Sequence, residues 1–170
     1  MKQKIVNGVV IVIIVAAFVA LLFPWPQDFN KEFSGVKYQL NQSGVFQYEK
    51  VKVSFSGEYH SSYFGLIEDR FTGHIQIDGV EIYKNKDFEL RFSNDGSTII
   101  THRCFVPEQM VMKEFYYGKL HLDDNLCLLV IELFNDYDSS GFNKQDGFII
   151  VAPAGNIEEA IEIVNVVLDK

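Results

Sequence analysis

The sequence predicts an all-β domain, an antiparallel sandwich or barrel, with one C-terminal α-helix and a single N-terminal transmembrane helix before it. Three patterns support this. An uncharged apolar run occupies residues 5–23, apolar and polar residues then alternate with a period of two, and an amphipathic segment of helical period ends the chain. The alternating segments follow one another through short connections, without the intervening helices that a parallel sheet requires.

The apolar run, IVNGVVIVIIVAAFVALLF, contains one polar side chain, Asn7, and no charge. As a helix it would be about 28 Å long, close to the thickness of the hydrocarbon layer of a bilayer. Lys2 and Lys4 precede the run, so the positive-inside rule predicts that residues 1–4 are cytoplasmic. The chain after residue 23 is then expected outside the cell membrane, which makes the membrane itself a predicted partner.

A cleaved signal peptide is the alternative for this run. The run is longer than the apolar region of most signal peptides, and Val15 with Ala17 is the best small-residue pair for cleavage. Cleavage there would leave a strongly apolar new N-terminus, so an uncleaved anchor is favoured. Residues 24–33, PWPQDFNKEF, predict a linker, with Trp25 at the membrane interface, and residues 34–170 predict the extracytoplasmic domain.

Strand residues that share one face are predicted from the period of two. They are Val51, Val53, Phe55, Gly57 and Tyr59; Phe71, Gly73, Ile75 and Ile77; and Phe88, Leu90 and Phe92. The dipeptides Asp78-Gly79 and Asp95-Gly96 predict tight hairpins, because glycine accepts the positive φ of such turns. A third hairpin is expected at Asp123-Asp124-Asn125.

The segment LCLLVIELF is apolar on both faces and predicts a central strand that is covered on each side. DGFIIVAPA predicts the last of eight or nine strands. Residues 156–169 predict the C-terminal helix, with Asn156 as its cap and Glu159 reaching back to it. The apolar residues expected on one helix stripe are Ile157, Ala160, Ile161, Val164, Val167 and Leu168.

The formal net charge of −8 argues against nucleic acid as a partner, because no basic stripe is present to neutralise phosphates. The chain has two cysteines, Cys104 and Cys127, both in the predicted external domain. A disulfide between them is permitted there. Cys127 lies within an apolar strand, however, and is equally compatible with a small buried side chain.

The stretch NDYDSSGFNKQDGF is the one candidate metal site. Asp136, Asp138 and Ser140 have the alternate spacing of calcium ligands, the Phe142 carbonyl could add a fourth oxygen, and Asp146 could close the loop. These residues give a weak calcium candidate. The closing glutamate and the flanking helices of an EF-hand are both missing, so a polar connection between two strands is the simpler interpretation.

No nucleophile motif is present, and no two of the four histidines have a metal-ligand spacing. His74 and His121 are expected on a polar strand face.

Glu68-Asp69 and Asp123-Asp124 are the carboxylate pairs considered for acid–base chemistry. Neighbours on a strand point to opposite faces, so these pairs are expected to be solubilising charge unless they lie in turns. Candidates for lining a pocket are Tyr59, Tyr63 and Phe64 with the segment EFYYG.

The segments FTGHIQIDGVEI, YGKLHLDDNL and QDGFIIVAPAGNIEEAIEI follow an N-terminal anchor. Together they resemble small uncharacterised bacterial membrane-anchored proteins with an external β-rich domain. The resemblance implies a cell-surface location and supplies no activity, cofactor or site residue.

The function expected from the sequence is a non-catalytic binding or interaction module, with an envelope protein as one partner to consider. A surface-tethered hydrolase with carboxylates gathered by the fold and a calcium-stabilised structural domain are the alternatives.

Overall fold

The computed structural model describes residues 7, 8, 10–16, 18, 25–39, 48–61, 68–80, 88–106, 110–134, 141, 142 and 147–168, with only the backbone of residues 104 and 106. These residues form eight strands and a C-terminal helix. They are β1 (Pro26–Gln39), β2 (Tyr48–His60), β3 (Asp69–Ile77), β4 (Phe88–Phe92), β5 (Ser97–Val106), β6 (Val111–Leu122), β7 (Leu129–Leu133), β8 (Phe148–Ala152) and the helix Ile157–Leu168.

All eight strands belong to one antiparallel sheet in the order β4-β3-β2-β1-β8-β7-β6-β5. The first four and the last four strands are therefore two meanders, joined side by side where β1 pairs with β8. The two ends of the order, β4 and β5, are consecutive in sequence and meet at a short turn. At the other end of β4, away from the turn, the rings of Phe88 and His102 lie 6.2 Å apart. The sheet is thus nearly closed and barrel-like, which confirms the predicted antiparallel β architecture.

The inner face of the sheet holds the main core, because alternate residues of every strand point inward. Its members include Phe29, Phe33, Val53, Phe55, Phe71, Leu90, Ile100, Leu120, Ile131 and Ile150. The predicted apolar faces of β2, β3 and β4 all lie in this core. Aromatic rings dominate the first meander, where Phe55 meets Phe29 and Phe71 edge to face at 5.6 Å each.

The C-terminal helix packs on the outer face of β1, β7 and β8. Val36, Val130 and Val151 are buried there against Ala160 and Val167 of the helix. Since Val130 is buried outside and its neighbours in β7 are buried inside, β7 is covered on both faces, as its sequence predicts.

The cap of this helix confirms the prediction made from Asn156 and Glu159. The Asn156 Oδ1 atom accepts a hydrogen bond from the Glu159 amide at 2.9 Å. The Glu159 carboxylate reaches one residue further than expected and accepts from the Gly155 amide at 2.7 Å. The predicted stripe needs one correction: Ile161 is exposed while Ile163 packs on the sheet, because the face of the helix that contacts the sheet is rotated about the helix axis relative to the predicted stripe.

The predicted linker over residues 24–33 is wrong from Pro26 onward, since β1 begins at that residue. Phe29 and Phe33 lie on its inner face and join the core, which is why mixed composition does not prevent strand formation here. The described residues between 7 and 18 are helical, with exposed side chains. Among the described residues, no helix is long and apolar enough to cross a membrane.

The two Asp-Gly dipeptides both lie in turns in which the glycine has a positive φ. Gly79 adopts a φ of 72° in a turn after β3, closed by a hydrogen bond from the Val80 amide to the Ile77 carbonyl, but residues 81–87 lie outside the described residues, so the hairpin predicted at Asp78-Gly79 stays a prediction. Gly96, with a φ of 74°, does connect β4 to β5 directly. The third turn, after β6, joins two paired antiparallel strands as predicted.

Candidate functional site

A cavity of about 340 Å³ lies at the end of the sheet where β1 begins. Three elements surround it: the adjacent ends of β2 and β3, the β4–β5 turn and the β6–β7 turn. We call it the end cavity. The residues that line it are Tyr59, Glu68, Asp69, Phe92, Ser93, Asn94, Gly96, Leu122, Asp123, Asp124 and Leu126.

Buried apolar side chains form the floor of the end cavity. The rings of Tyr59 and Phe92 lie 5.8 Å apart, and Leu122 is buried beside them. The Tyr59 hydroxyl donates a hydrogen bond to Asp69 Oδ2 at 2.9 Å. Burial, together with this bond to a carboxylate, raises the pKa of Tyr59 well above its ordinary value. The hydroxyl therefore stays protonated and remains a hydrogen-bond donor at neutral pH.

Asp123 organises the β6–β7 turn on one side of the end cavity. Its Oδ1 atom accepts hydrogen bonds from the amides of Cys127 and Leu128, both at 2.6 Å. Leu126 has a positive φ of 56° in this turn, and its carbonyl accepts a hydrogen bond from Lys31 Nζ at 2.7 Å. Lys31 lies on the inner side of β1, between Phe29 and Phe33. This contact therefore ties the turn to the first meander.

Asp95 organises the β4–β5 turn on the opposite side. It accepts hydrogen bonds from the Ser93 hydroxyl and from the Ser97 amide, the latter at 3.0 Å. The bonds from Ser93 and Ser97 hold the pKa of Asp95 far below its ordinary value. The turn is thus fixed by an ionised carboxylate, and it presents Ser93 and Asn94 to the cavity.

Four carboxylates line the end cavity, and the described lining residues include no Lys, Arg or His. They are Glu68, Asp69, Asp123 and Asp124, the two pairs that were expected to be solubilising charge unless they lie in turns. The exception applies here. Glu68 precedes β3, and Asp123-Asp124 lies in a turn, so the alternation of a strand does not separate the members of each pair. The antiparallel strand order then brings both pairs to one end of the sheet.

The calcium candidates Asp136, Asp138, Ser140 and Asp146 lie outside the described residues, so that site stays a prediction. Phe142 is half-buried and packs against the core under the C-terminal helix. Within the described part of the chain, no group of three or more His, Cys, Asp or Glu side chains could hold a metal ion.

The histidine and cysteine predictions have mixed outcomes. His74 is exposed as expected, but His121 is only 8 % exposed and its Nε2 atom lies 3.2 Å from Glu132 Oε2. His121 and Glu132 lie on the outer face of the neighbouring strands β6 and β7, outside the end cavity. Cys127 is a free, exposed thiol in the β6–β7 turn and not a buried strand residue, because β7 begins at Leu129.

Two functional features were missed by sequence reasoning. Tyr59 was considered for a pocket, but its partner Asp69 was not. Lys31 was placed in a linker, and its contact with Leu126 joins residues far apart in sequence. The only local signal for Lys31 is its position between two inward phenylalanines, Phe29 and Phe33. Tyr63 and Phe64 lie outside the described residues.

No protein family, curated protein or solved structure matches this chain. The resemblance to small membrane-anchored bacterial proteins therefore stays a prediction.

Proposed function

We propose that this protein is a membrane-tethered, extracytoplasmic binding domain whose end cavity takes a small organic cation. The observation that carries the proposal is the composition of the cavity: a floor of Tyr59, Phe92 and Leu122 below four carboxylates. Ligand sites are typically concave, mostly apolar at the base and equipped with a few polar groups that orient the ligand. A volume of about 340 Å³ is at the small end of that range.

The charge of the lining selects the ligand class. The four carboxylates of the described lining make the cavity electronegative, and this potential favours a ligand with a positive group. The faces of Tyr59 and Phe92 add an attraction for cations and for flat apolar groups. A primary amine attached to a small apolar or aromatic body combines both features.

A surface-tethered hydrolase is the second candidate, because both carboxylate pairs line one cavity. Binding is favoured because carboxylates of this lining have structural roles. Asp123 fixes its turn through backbone amides, and Asp69 accepts the Tyr59 hydroxyl. In the hydrolase alternative, Glu68 and Asp124 would serve as the acid and base. Turnover of chromogenic glycosides or esters by the full chain, lost in Glu68→Gln, would favour the enzyme.

Calorimetry on the full chain in detergent micelles tests the binding proposal with phenethylamine, phenethyl alcohol and phenylacetate as probes. We expect saturable binding of the amine alone. Asp69→Asn keeps an acceptor for Tyr59 but removes the charge, and we expect it to weaken amine binding by about tenfold. Glu162→Gln, on the exposed face of the C-terminal helix, is the matched control and should change nothing.

Equal binding of the amine and the alcohol, or an unchanged affinity in Asp69→Asn, would show that the end cavity is not a cation site.

The membrane anchor has a separate test. Protease added to intact cells should digest the domain while residues 1–4 remain protected, since the anchor at residues 5–23 is proposed to place the domain outside. A domain that is protected on intact cells and digested only after lysis would contradict that orientation.

A further inference from the structure

The end cavity lies at the end of the sheet where the chain leaves the predicted membrane anchor and enters the domain. β1 begins at Pro26, three residues after the apolar run ends at Phe23. Gln27, the next residue of β1, pairs with Tyr59, so the start of β1 is level with the cavity floor. Since consecutive strands are antiparallel, the β4–β5 and β6–β7 turns also lie at this end. The cavity and the predicted anchor therefore share one end of the domain.

The length of the connection limits the distance between the end cavity and the membrane. An extended chain spans at most about 3.6 Å per residue, so the Cα atom of Pro26 lies within about 11 Å of the Cα atom of Phe23. The headgroup layer on each side of a bilayer is about 5–8 Å thick. Trp25, which precedes β1, is 59 % exposed, as suits an aromatic side chain at a membrane interface. With residues 5–23 as the proposed anchor, this end of the sheet lies next to the lipid headgroups.

The chain segments that begin β1 and connect strands at this end are acidic. These segments are residues 25–28, 61–69, 93–96 and 123–128. Their complete sequences contain six carboxylates and no Lys, Arg or His. His60 flanks the second segment and lies 3.6 Å from the Glu58 carboxylate. Arg70 flanks it on the other side, 4.0 Å from the Glu89 carboxylate. The basic side chains beside the second segment therefore have acidic partners of their own, and the end that faces the headgroups is electronegative.

An electronegative cavity at this level discriminates between lipid headgroups. The four carboxylates of the described lining repel anionic headgroups and attract an ammonium at the outer end of a headgroup. A primary ammonium donates three hydrogen bonds, and each carboxylate has about four acceptor sites. A quaternary ammonium has no N–H group to donate. The lining therefore favours an ethanolamine-type headgroup over a choline-type or an anionic one.

One ammonium group is already bound inside this end of the sheet. Lys31 Nζ lies 5.2 Å from the centre of the Phe29 ring and donates to the Leu126 carbonyl at 2.7 Å. The Phe29 ring is 5.8 Å from the Tyr59 ring of the cavity floor. Aromatic faces and oxygen acceptors thus hold a primary ammonium next to the floor. A headgroup ammonium in the cavity would meet the Tyr59 and Phe92 rings in the same manner.

We propose that the end cavity binds the primary ammonium headgroup of an ethanolamine-type lipid in the membrane that holds the anchor. This inference rests on the proposed function and names the source of its cation. The cavity of about 340 Å³ takes the headgroup, and the acyl chains stay in the bilayer. Because the anchor keeps the cavity beside the headgroups, the lipid is present at a high effective concentration and a weak intrinsic affinity is sufficient. The anchor and the bound headgroup together fix the orientation of the domain on the membrane.

Calorimetry of the full chain in nanodiscs tests this proposal with phenethylamine as the competitor. One set of nanodiscs contains phosphatidylcholine alone, and the other contains equal parts of phosphatidylcholine and phosphatidylethanolamine. Empty nanodiscs of each composition correct for partitioning of the amine. We expect the apparent affinity for phenethylamine to be about tenfold weaker with phosphatidylethanolamine, because that lipid occupies the cavity. Glu162→Gln, on the exposed face of the C-terminal helix, is the matched control and should show the same difference.

A spacer variant separates the position of the cavity from its affinity. A helical spacer of about 15 residues, built from EAAAK repeats and inserted between Phe23 and Pro24, would raise the cavity by about 22 Å, beyond the headgroups. We expect this variant to bind phenethylamine equally in the two nanodiscs and as tightly as the wild type in detergent micelles. Equal affinities of the wild type in the two nanodiscs, or a difference that persists with the spacer, would overturn the lipid proposal. Absence of phenethylamine binding in detergent micelles would instead contradict the proposed function.

Discussion

The Tyr59 hydroxyl and the Asp69 carboxylate are joined by a 2.9 Å hydrogen bond at the floor of the end cavity, with the tyrosine as donor. The sequence did not indicate that Asp69 is the partner of Tyr59, since ten positions separate the two residues. Their side chains meet because the ends of β2 and β3 are adjacent in the sheet.

This bond predicts a loss of stability at high pH. The pKa of Tyr59 is raised in the folded state, so between about pH 10 and that raised value only the unfolded chain has lost the proton. Stability therefore falls as the pH rises above about 10. Tyr59→Phe should cost about 1 kcal/mol at neutral pH and less at about pH 11. Urea unfolding at both pH values measures this, with the exposed Tyr48→Phe as control. A difference in the free energy of unfolding between wild type and Tyr59→Phe that grows with pH would contradict this prediction.

Asp95 predicts a loss of stability at low pH. Its pKa is lowered in the folded state, so its contribution is present above about pH 4 and disappears as the pH falls below that value. Asp95→Ala should destabilise the protein by about 1 kcal/mol at neutral pH. The unfolding curves of variant and wild type should converge as acid is added. Asp28→Ala, at an exposed carboxylate of β1, should show neither effect.

Lys31 should matter more than an exposed lysine. Lys31→Met keeps most of the apolar stem but leaves the Leu126 carbonyl without this donor, and we expect a loss of about 1–2 kcal/mol in the free energy of unfolding. Lys52→Met removes only an exposed ion pair with Glu32 and should cost less than about 0.5 kcal/mol. Similar unfolding midpoints for the two variants would show that the Lys31 contact is not a stabilising one.

Gly57 is required by a close approach of two strands. A Cβ atom at this position would overlap the Thr72 carbonyl oxygen and lie 2.7 Å from the Gly73 Cα atom. Gly57→Ala should therefore destabilise the protein by about 2 kcal/mol or more. A Cβ at Gly141 would contact nothing within 4 Å, so Gly141→Ala is the control and should be neutral. Thermal unfolding compares the two, and equal Tm values would contradict the packing argument.

The helix cap predicts a smaller effect. Glu159→Ala removes the acceptor of the Gly155 amide and should cost about 1 kcal/mol of stability. Glu162→Ala, three residues further along the helix, removes an exposed carboxylate outside the cap and should be close to neutral. Urea unfolding of both variants measures the difference. A larger loss for Glu162→Ala would mean that helix charge, and not the cap, sets the stability of this end.

Much of the fold could be predicted because its signals are local. The inward face of β4, formed by Phe88, Leu90 and Phe92, follows from alternation, and the cap at Asn156 follows from its spacing to Glu159. The turn at Asp95-Gly96, which connects β4 to β5 directly, follows from its dipeptide in the same way.

What the sequence determined by itself is the direction of side chains within each strand and helix, because periods of two and 3.6 are properties of the local backbone. Only the tertiary structure decided which strand ends lie next to one another. The carboxylates of Asp69 and Asp123 line one cavity because β1 pairs with β8 and brings the two meanders together. Such pairing depends on contacts across the whole chain, so no window of the sequence reveals the end cavity.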